Sequence, residues 1–254
     1  MTAARSARLM ALAIRPGAWA RSWRPLLLAL ALLLSPLGPV ACAAQGPAND
    51  LGCGSGGVPC LKGTAVVELK TTKGDVQLSL DGAAAPLTAG NFVDLVRRGV
   101  YNGTVFHRVV REPIPFVVQG GDPQSADPKV PADLLGTGSF IDPGTGQPRL
   151  IPLELFLQGE GSPRYGQIAA GPGQQSKLKL QHQRGALAMA RSEDPNSASS
   201  QFYIALRALP ELDGRYAVFG RVTAGMEVVD RITQGDKLIS AKLIQGGTLV
   251  QDRP

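Results

Sequence analysis

The sequence predicts a mainly β, mostly antiparallel protein, built as a closed barrel or a sandwich, and three observations carry that prediction. Short runs that alternate or mix apolar and β-prone residues recur at Val66–Thr71, Val76–Asp81, Thr104–Val110, Phe116–Gln119, Ala186–Ala190, Gln201–Ala205, Ala217–Val222 and Lys237–Ile244. Turn formers such as Asn102-Gly103 and Gly120-Gly121 punctuate the chain between them. Helical spacing of apolar residues is confined to two stretches. Pattern alone does not choose between barrel and sandwich.

Taken in order, residues 1–43 stand apart from the rest. Arg5, Arg8, Arg15, Arg21 and Arg24 occur there without an acidic residue, and Leu26–Leu34 is unbroken and apolar. Small residues follow at Ala41-Cys42-Ala43. This is the plan of a secretory leader, and nine apolar residues are too few to cross a hydrocarbon layer of about 30 Å comfortably. Three fates are open: cleavage after Ala43, lipidation of Cys42 in the box-like Val40-Ala41-Cys42, or retention as an anchor. Lipidation is weakened by Pro39, where such boxes usually carry Leu. Membrane contact is expected only through the leader or a lipid on Cys42.

Losing the five arginines of the leader lowers the formal net charge from +6 to +1. The high calculated pI of 9.5 therefore belongs mostly to the leader, and no nucleic-acid partner is inferred. Residues 44–62 are rich in Gly and Pro and read as a linker. Cys53 and Cys60 within it suit a disulfide in an exported protein, with two free thiols as the alternative. Three cysteines, two histidines and no Cys-x-x-Cys spacing give no basis for a metal site.

The folded domain is placed at 63–254. Val66–Thr71 and Val76–Asp81 flank Thr72-Lys73-Gly74-Asp75 and form an amphipathic hairpin. Thr88 is read as an N-cap, with Phe92, Leu95 and Val96 on one helical face and Gly99 as the stop. A second helix is expected over Ala224–Thr233, carrying Met226, Val229 and Ile232. Residues 122–184 are long and Gly/Pro-rich, and read as an extended surface insertion with a strand at Ile151–Glu154. Its glycine pairs are not phosphate loops, because no Gly-Lys-Ser/Thr follows them.

The most informative stretch is Tyr101–Asp122. Alternation from Val105 to Val110 puts Arg108 on one face with Phe106 and Val110, and Gln119 ends the next run. A guanidinium among apolar neighbours must pair, reach solvent or await a ligand. His107 beside it is read as a satisfied structural histidine and Met189 as core. Arg215 is read as a solvated charge.

Phe106-His107-Arg108 with Phe116-Val117-Val118-Gln119-Gly120-Gly121-Asp122 resembles the central signature of cyclophilin-type peptidyl-prolyl isomerases. Ala188-Met189-Ala190-Arg191-Ser192 with Ser200-Gln201-Phe202-Tyr203-Ile204 resembles the second block of that family. Leu212-Asp213-Gly214-Arg215-Tyr216-Ala217-Val218-Phe219-Gly220 resembles the third. The resemblance implies a closed eight-stranded antiparallel barrel capped by two helices. It implies no cofactor and a proline-containing polypeptide as substrate.

On matching positions, Arg108 takes the catalytic role, and Phe116, Val117, Tyr203 and Leu212 form the apolar walls around the proline ring. Gln119, Ala190, Arg191 and Gln201 contact the substrate backbone, and Tyr216 stands where His is common. Departures are Arg111–Pro115, five residues where the family usually has two, Val117 for Met, Tyr203 for Phe and Arg191 for the Asn of many members. Glu211 replaces a Trp that helps bind cyclosporin, so weak cyclosporin binding is expected. The leader and third block are similar to exported cyclophilins of photosynthetic bacteria, which implies the periplasm or thylakoid lumen. A monomer acting on exported clients is expected. The alternative is a non-catalytic chaperone or scaffold on the same fold; a serine hydrolase is disfavoured because no Gly-x-Ser-x-Gly elbow occurs.

Overall fold

The structure, a computed structural model, describes residues 52–53 and 57–250; the leader and Cys42 lie outside the described residues. β1 (Cys60–Thr71) and β2 (Gly74–Asp81) make the expected hairpin, in register from Thr71↔Gly74 to Thr64↔Asp81. Ala65, Val67 and Leu69 of β1 and Val76, Leu78 and Leu80 of β2 point into the core, as period-two alternation requires. β1 begins inside the segment read as linker, and Cys60 and Leu61 are buried core residues. Cys53 and Cys60 are joined in a disulfide.

The remaining strands are β3 (Arg108–Val109), β4 (Val117–Gly120), β5 (Glu154–Leu155), β6 (Arg164–Tyr165), β7 (Ala186–Met189), β8 (Phe202–Ala205), β9 (Val218–Ala224) and β10 (Leu238–Val250). Eight of the ten strands form one antiparallel sheet in the order β10-β1-β2-β9-β7-β8-β4-β3. The strand ladders run from β10 to β3 without closing on themselves, so they show the eight-stranded sheet and not the closed barrel expected. The end strands β3 and β10 share no ladder; the seam carries an isolated bridge, Val105↔Lys237, with Phe106 N–H donating to Asp236 O at 2.9 Å. The physical reason lies in Thr104–His107, which leaves strand geometry so that Phe106 turns into the core. For the same reason Phe106 and Arg108 do not share a face: the ring is buried and the guanidinium is exposed.

Helix α1 (Pro86–Arg97) supplies the centre of the core. Phe92 lies 4.9 Å from Tyr101, 5.2 Å from Phe219 and 5.4 Å from Phe202 between ring centroids, all four rings being buried. Burying one such side chain is worth roughly 1.5–3 kcal/mol. The helix starts two residues before the predicted cap. Pro86 occupies its first turn, and Thr88 lies inside it. Its free amides are satisfied from far along the chain: Leu87 N–H and Thr88 N–H donate to the Glu154 carboxylate at 3.0 and 2.7 Å.

Two further helices are single turns, α2 (Pro172–Gln175) and α3 (Met226–Val229). The second helix expected over 224–233 is thus shorter. Gly225 enters it at φ +83°, and the chain leaves through turns that bury Ile232. Residues 122–184 are not merely an extended surface segment. They hold the two-stranded β5–β6 sheet and an apolar cluster of Leu153, Leu155, Leu157, Ala169 and Leu178, completed by Ala217.

Candidate active site

Strands β3 and β4 pair Arg108 with Gln119, and β4 pairs Gln119 with Tyr203 of β8. Two-residue periodicity then puts Arg108, Gln119 and Tyr203 in one row across three neighbouring strands. Beside this row lies an apolar cup separate from the main core. Val117, Tyr203, Leu209, Ala188 and Val218 are buried in it, and Phe116, Ala190, Leu212 and Tyr216 are the partly exposed residues packed against them. The cup therefore gathers Phe116, Val117, Ala190, Tyr203, Leu212 and Tyr216 of the residues singled out from sequence.

Arg108 is exposed and has no acidic partner among the described residues; its guanidinium carbon lies 5.7 Å from the Phe116 ring centroid. Its one protein hydrogen bond runs from Nη1 to Gln119 Oε1 at 3.3 Å. Behind that bond stands a relay of amides. Gln119 Nε2 donates to Gln201 Oε1 at 3.2 Å, and Gln201 Nε2 donates to the carbonyls of Gly136 and Gly138 at 2.9 and 2.8 Å. Asp122 holds those glycines in turn, its Oδ2 accepting from Gly136 N–H at 2.6 Å. A Cβ on Gly138 would sit 2.1 Å from Asp122 Oδ1, so any side chain there would push the Asp122 carboxylate from its place. The start of the insertion thus orients Gln201, Gln119 and finally Arg108.

Arg191 is held by the protein's own backbone. Its guanidinium donates to the carbonyls of Arg215, Ser192 and Glu193 and lies 4.8 Å from the Tyr216 ring centroid. It therefore braces the two loops at this edge of the cup. Ala190 N–H donates to Gln201 O at 2.9 Å, which joins the edge to the amide relay. A cavity of about 460 Å³ lies alongside, lined by Gln119, Gly138, Ala190, Arg191 and Gln201 among others. At the opposite rim, Glu211 is exposed and paired with Arg207 at 2.6 Å. Arg207 also donates to Pro115 O at 3.1 Å, and Arg111 donates to the carbonyls of Val229 and Ile232. Both ends of the lengthened 111–115 loop are therefore anchored, with Ile114 exposed between them.

Three features were not found from sequence. His107 has its ring nitrogens buried near Val105, Gln201 and Asp122, and burial lowers its pKa. His182 and Asp213 form a buried pair behind Tyr203. Glu154, also buried, has its pKa raised by desolvation, against the opposing pull of Thr88 and Leu87 N–H. No short-range pattern marks these residues, because each acts on a segment far away in the chain.

The antiparallel sheet thus carries an apolar cup beside an exposed guanidinium, with amide donors and acceptors along one edge. The chain belongs to the cyclophilin-type peptidyl-prolyl cis-trans isomerase family, whose model matches residues 66–249. It is 41% identical over 199 residues to a protein named as a thylakoid lumen peptidyl-prolyl cis-trans isomerase of Synechocystis, covering 74% of this chain and 49% of that one. It is 38% identical to a chloroplastic peptidyl-prolyl cis-trans isomerase of Arabidopsis thaliana, covering 74% of this chain and 44% of that one. This chain thus spans about half the length of those two relatives. The crystal structure of a cyclophilin from Hirschia baltica superposes with a TM-score of 0.50 at 25% identity, covering 72% of this chain and 75% of that one. One from Cryptosporidium parvum superposes with a TM-score of 0.54 at 23% identity, covering 72% and 99%, and speaks to the fold alone.

Proposed function

We propose that this protein accelerates cis–trans rotation about X–Pro bonds in exported polypeptides, with Arg108 as the catalytic residue. The observation that carries this reading is the free face of the Arg108 guanidinium beside the Phe116–Val117–Tyr203–Leu212 cup. X–Pro rotation takes tens to hundreds of seconds unaided, because amide resonance stiffens the C–N bond. As the bond twists, resonance is lost and the prolyl nitrogen becomes pyramidal with an available lone pair. A guanidinium is permanently charged and rigidly forked, and it donates to that nitrogen or to the adjacent carbonyl oxygen. The planar ground state has no such lone pair, so the interaction favours the transition state selectively. The cup holds the proline ring, and Gln119 and Gln201 hold the flanking chain while its N-terminal side turns. No step requires a proton transfer or a cofactor.

Two features support an extracytoplasmic site of action. The leader has the plan of an export signal, and the Cys53–Cys60 disulfide suits an oxidising compartment. The names of the cyanobacterial and chloroplast relatives favour the thylakoid lumen over the periplasm. We read the mature protein as a monomer whose membrane contact, if the leader or a lipid on Cys42 is retained, comes from that end.

The test is a protease-coupled assay on a proline tetrapeptide. Arg108→Ala is expected to lower kcat/KM at least about tenfold, the loss of roughly one charge-assisted hydrogen bond, with the fold unchanged by circular dichroism. Equal turnover by wild type and variant would remove Arg108 from the mechanism and turn the reading towards a binding scaffold.

A further inference from the structure

Behind the cup lies a chain of three buried polar side chains that the mechanism above does not use. Tyr203 Oη is 2.9 Å from His182 Nε2, and His182 Nδ1 is 2.7 Å from Asp213 Oδ1. All three residues are buried. The backbone of His182 joins the same partners: its N–H donates to Asp213 Oδ1 at 2.8 Å, and its carbonyl accepts from Leu209 N–H at 2.8 Å. His182 is thus bonded at both ring nitrogens and at both backbone groups. Every one of those bonds reaches either β8, through Tyr203, or the Leu209–Asp213 segment that carries Leu212. These are two sides of the cup, and His182 belongs to neither; it stands at the end of the insertion.

The donors follow from chemistry. The Asp213 carboxylate only accepts, so His182 Nδ1 carries the hydrogen. In the neutral ring Nε2 is then the acceptor, and Tyr203 O–H donates to it. The charged and titratable groups facing this pair are Asp213 and Glu211 on the loop side, with Tyr216 and Arg191 beyond Tyr203. Burial lowers the His182 pKa against the pull of Asp213 and Glu211, which keeps the ring neutral at neutral pH.

We propose that His182 is a positioning residue for the proline cup: by bonding Tyr203 on one side and the Leu209–Asp213 segment on the other, it fixes the separation of the Tyr203 ring from Leu212. The Tyr at 203 is then a specificity feature of this chain, since the Phe common at that place offers no hydroxyl for such an anchor. This inference rests on the reading of the groove as a proline site.

Kinetics on the full-length protein test it. Tyr203→Phe keeps the ring and removes the anchor; it is expected to raise KM about three- to tenfold with kcat changed less than twofold, as one net hydrogen bond allows. His182→Gln is expected to do the same, and the double variant to be no worse than the weaker single, because one linkage is lost either way. Identical KM in wild type and Tyr203→Phe would overturn the proposal, as would additive losses in the double variant. Nitrogen chemical shifts of His182 and titration with a proline tetrapeptide need no turnover and separate the two readings. If every form is inactive but the Nδ1–H tautomer is present and Tyr203→Phe binds peptide more weakly, only the isomerase reading fails. An Nε2–H tautomer, or a wild type that binds no peptide at millimolar concentration, overturns the positioning role.

Discussion

At the scale of single residues, the site is defined by what its charged groups are not bonded to. Arg108 lacks an acidic neighbour among the described residues, and its one side-chain bond goes to an amide oxygen, which orients the guanidinium without neutralising it. Arg191, by contrast, spends donors on four contacts to three backbone carbonyls. The sequence marked both arginines through family positions, and only their bonding separates a group held ready from one already satisfied. Glu211 illustrates the same point at the rim, where it pairs with Arg207 in solvent. An exposed pair of this kind contributes little stability. A charged rim in place of an aromatic surface is a poor partner for an apolar macrocycle. Cyclosporin is therefore expected to bind with a Kd in the micromolar range or weaker, and Glu211→Trp to tighten it about tenfold or more in a calorimetric titration, one buried aromatic contact being worth that much. Unchanged affinity in the variant would show that the rim does not limit binding.

At the scale of elements, the insertion is a structural member of the fold. It reaches α1 through Glu154, reaches Arg108 through Asp122, Gly136, Gly138 and Gln201, and reaches the cup through His182. The Glu154 contact places a carboxylate at a helix N-terminus, where both amide donors and the helix dipole favour it. Glu154→Ala leaves two buried amides unpaired and is expected to lower stability by about 2–3 kcal/mol in urea unfolding. A loss below roughly 0.5 kcal/mol would mean that water replaces the carboxylate. The sign of the accompanying pH effect follows from the raised pKa. Ionisation costs more in the folded state than in the unfolded chain, so this group's contribution to stability declines as pH rises from the unfolded carboxylate value to the folded one. Nothing local in Ile151-Pro152-Leu153-Glu154 announced this role, because cap and helix are separated by more than sixty residues.

At the scale of the whole molecule, the N-terminal end of the domain is tied to the core by the Cys53–Cys60 disulfide, whose partner Cys60 opens the long strand β1. Closing so short a loop removes about 2 kcal/mol worth of unfolded-chain entropy on the chain-entropy account. Reduction is accordingly expected to lower the denaturation midpoint while leaving prolyl isomerisation within about twofold. A collapse of activity on reduction would mean that β1 and the groove are coupled more closely than their places in the sheet indicate.

The sequence by itself determined the β class, the β1–β2 hairpin and the apolar face of α1, since alternation, helical spacing and turn chemistry are short-range properties; the residues beside Arg108 were marked only by the family resemblance. It also carried the three family blocks in their order. Tertiary structure decided the rest. It turned Phe106 into the core and left Arg108 outside, left the sheet unclosed by hydrogen bonds at β3 and β10, and gave the insertion its own apolar cluster. It also brought Glu154 to a helix end and His182 to Tyr203. Each of these depends on a buried polar or apolar group finding its partner across the chain, and no local pattern encodes such a partner.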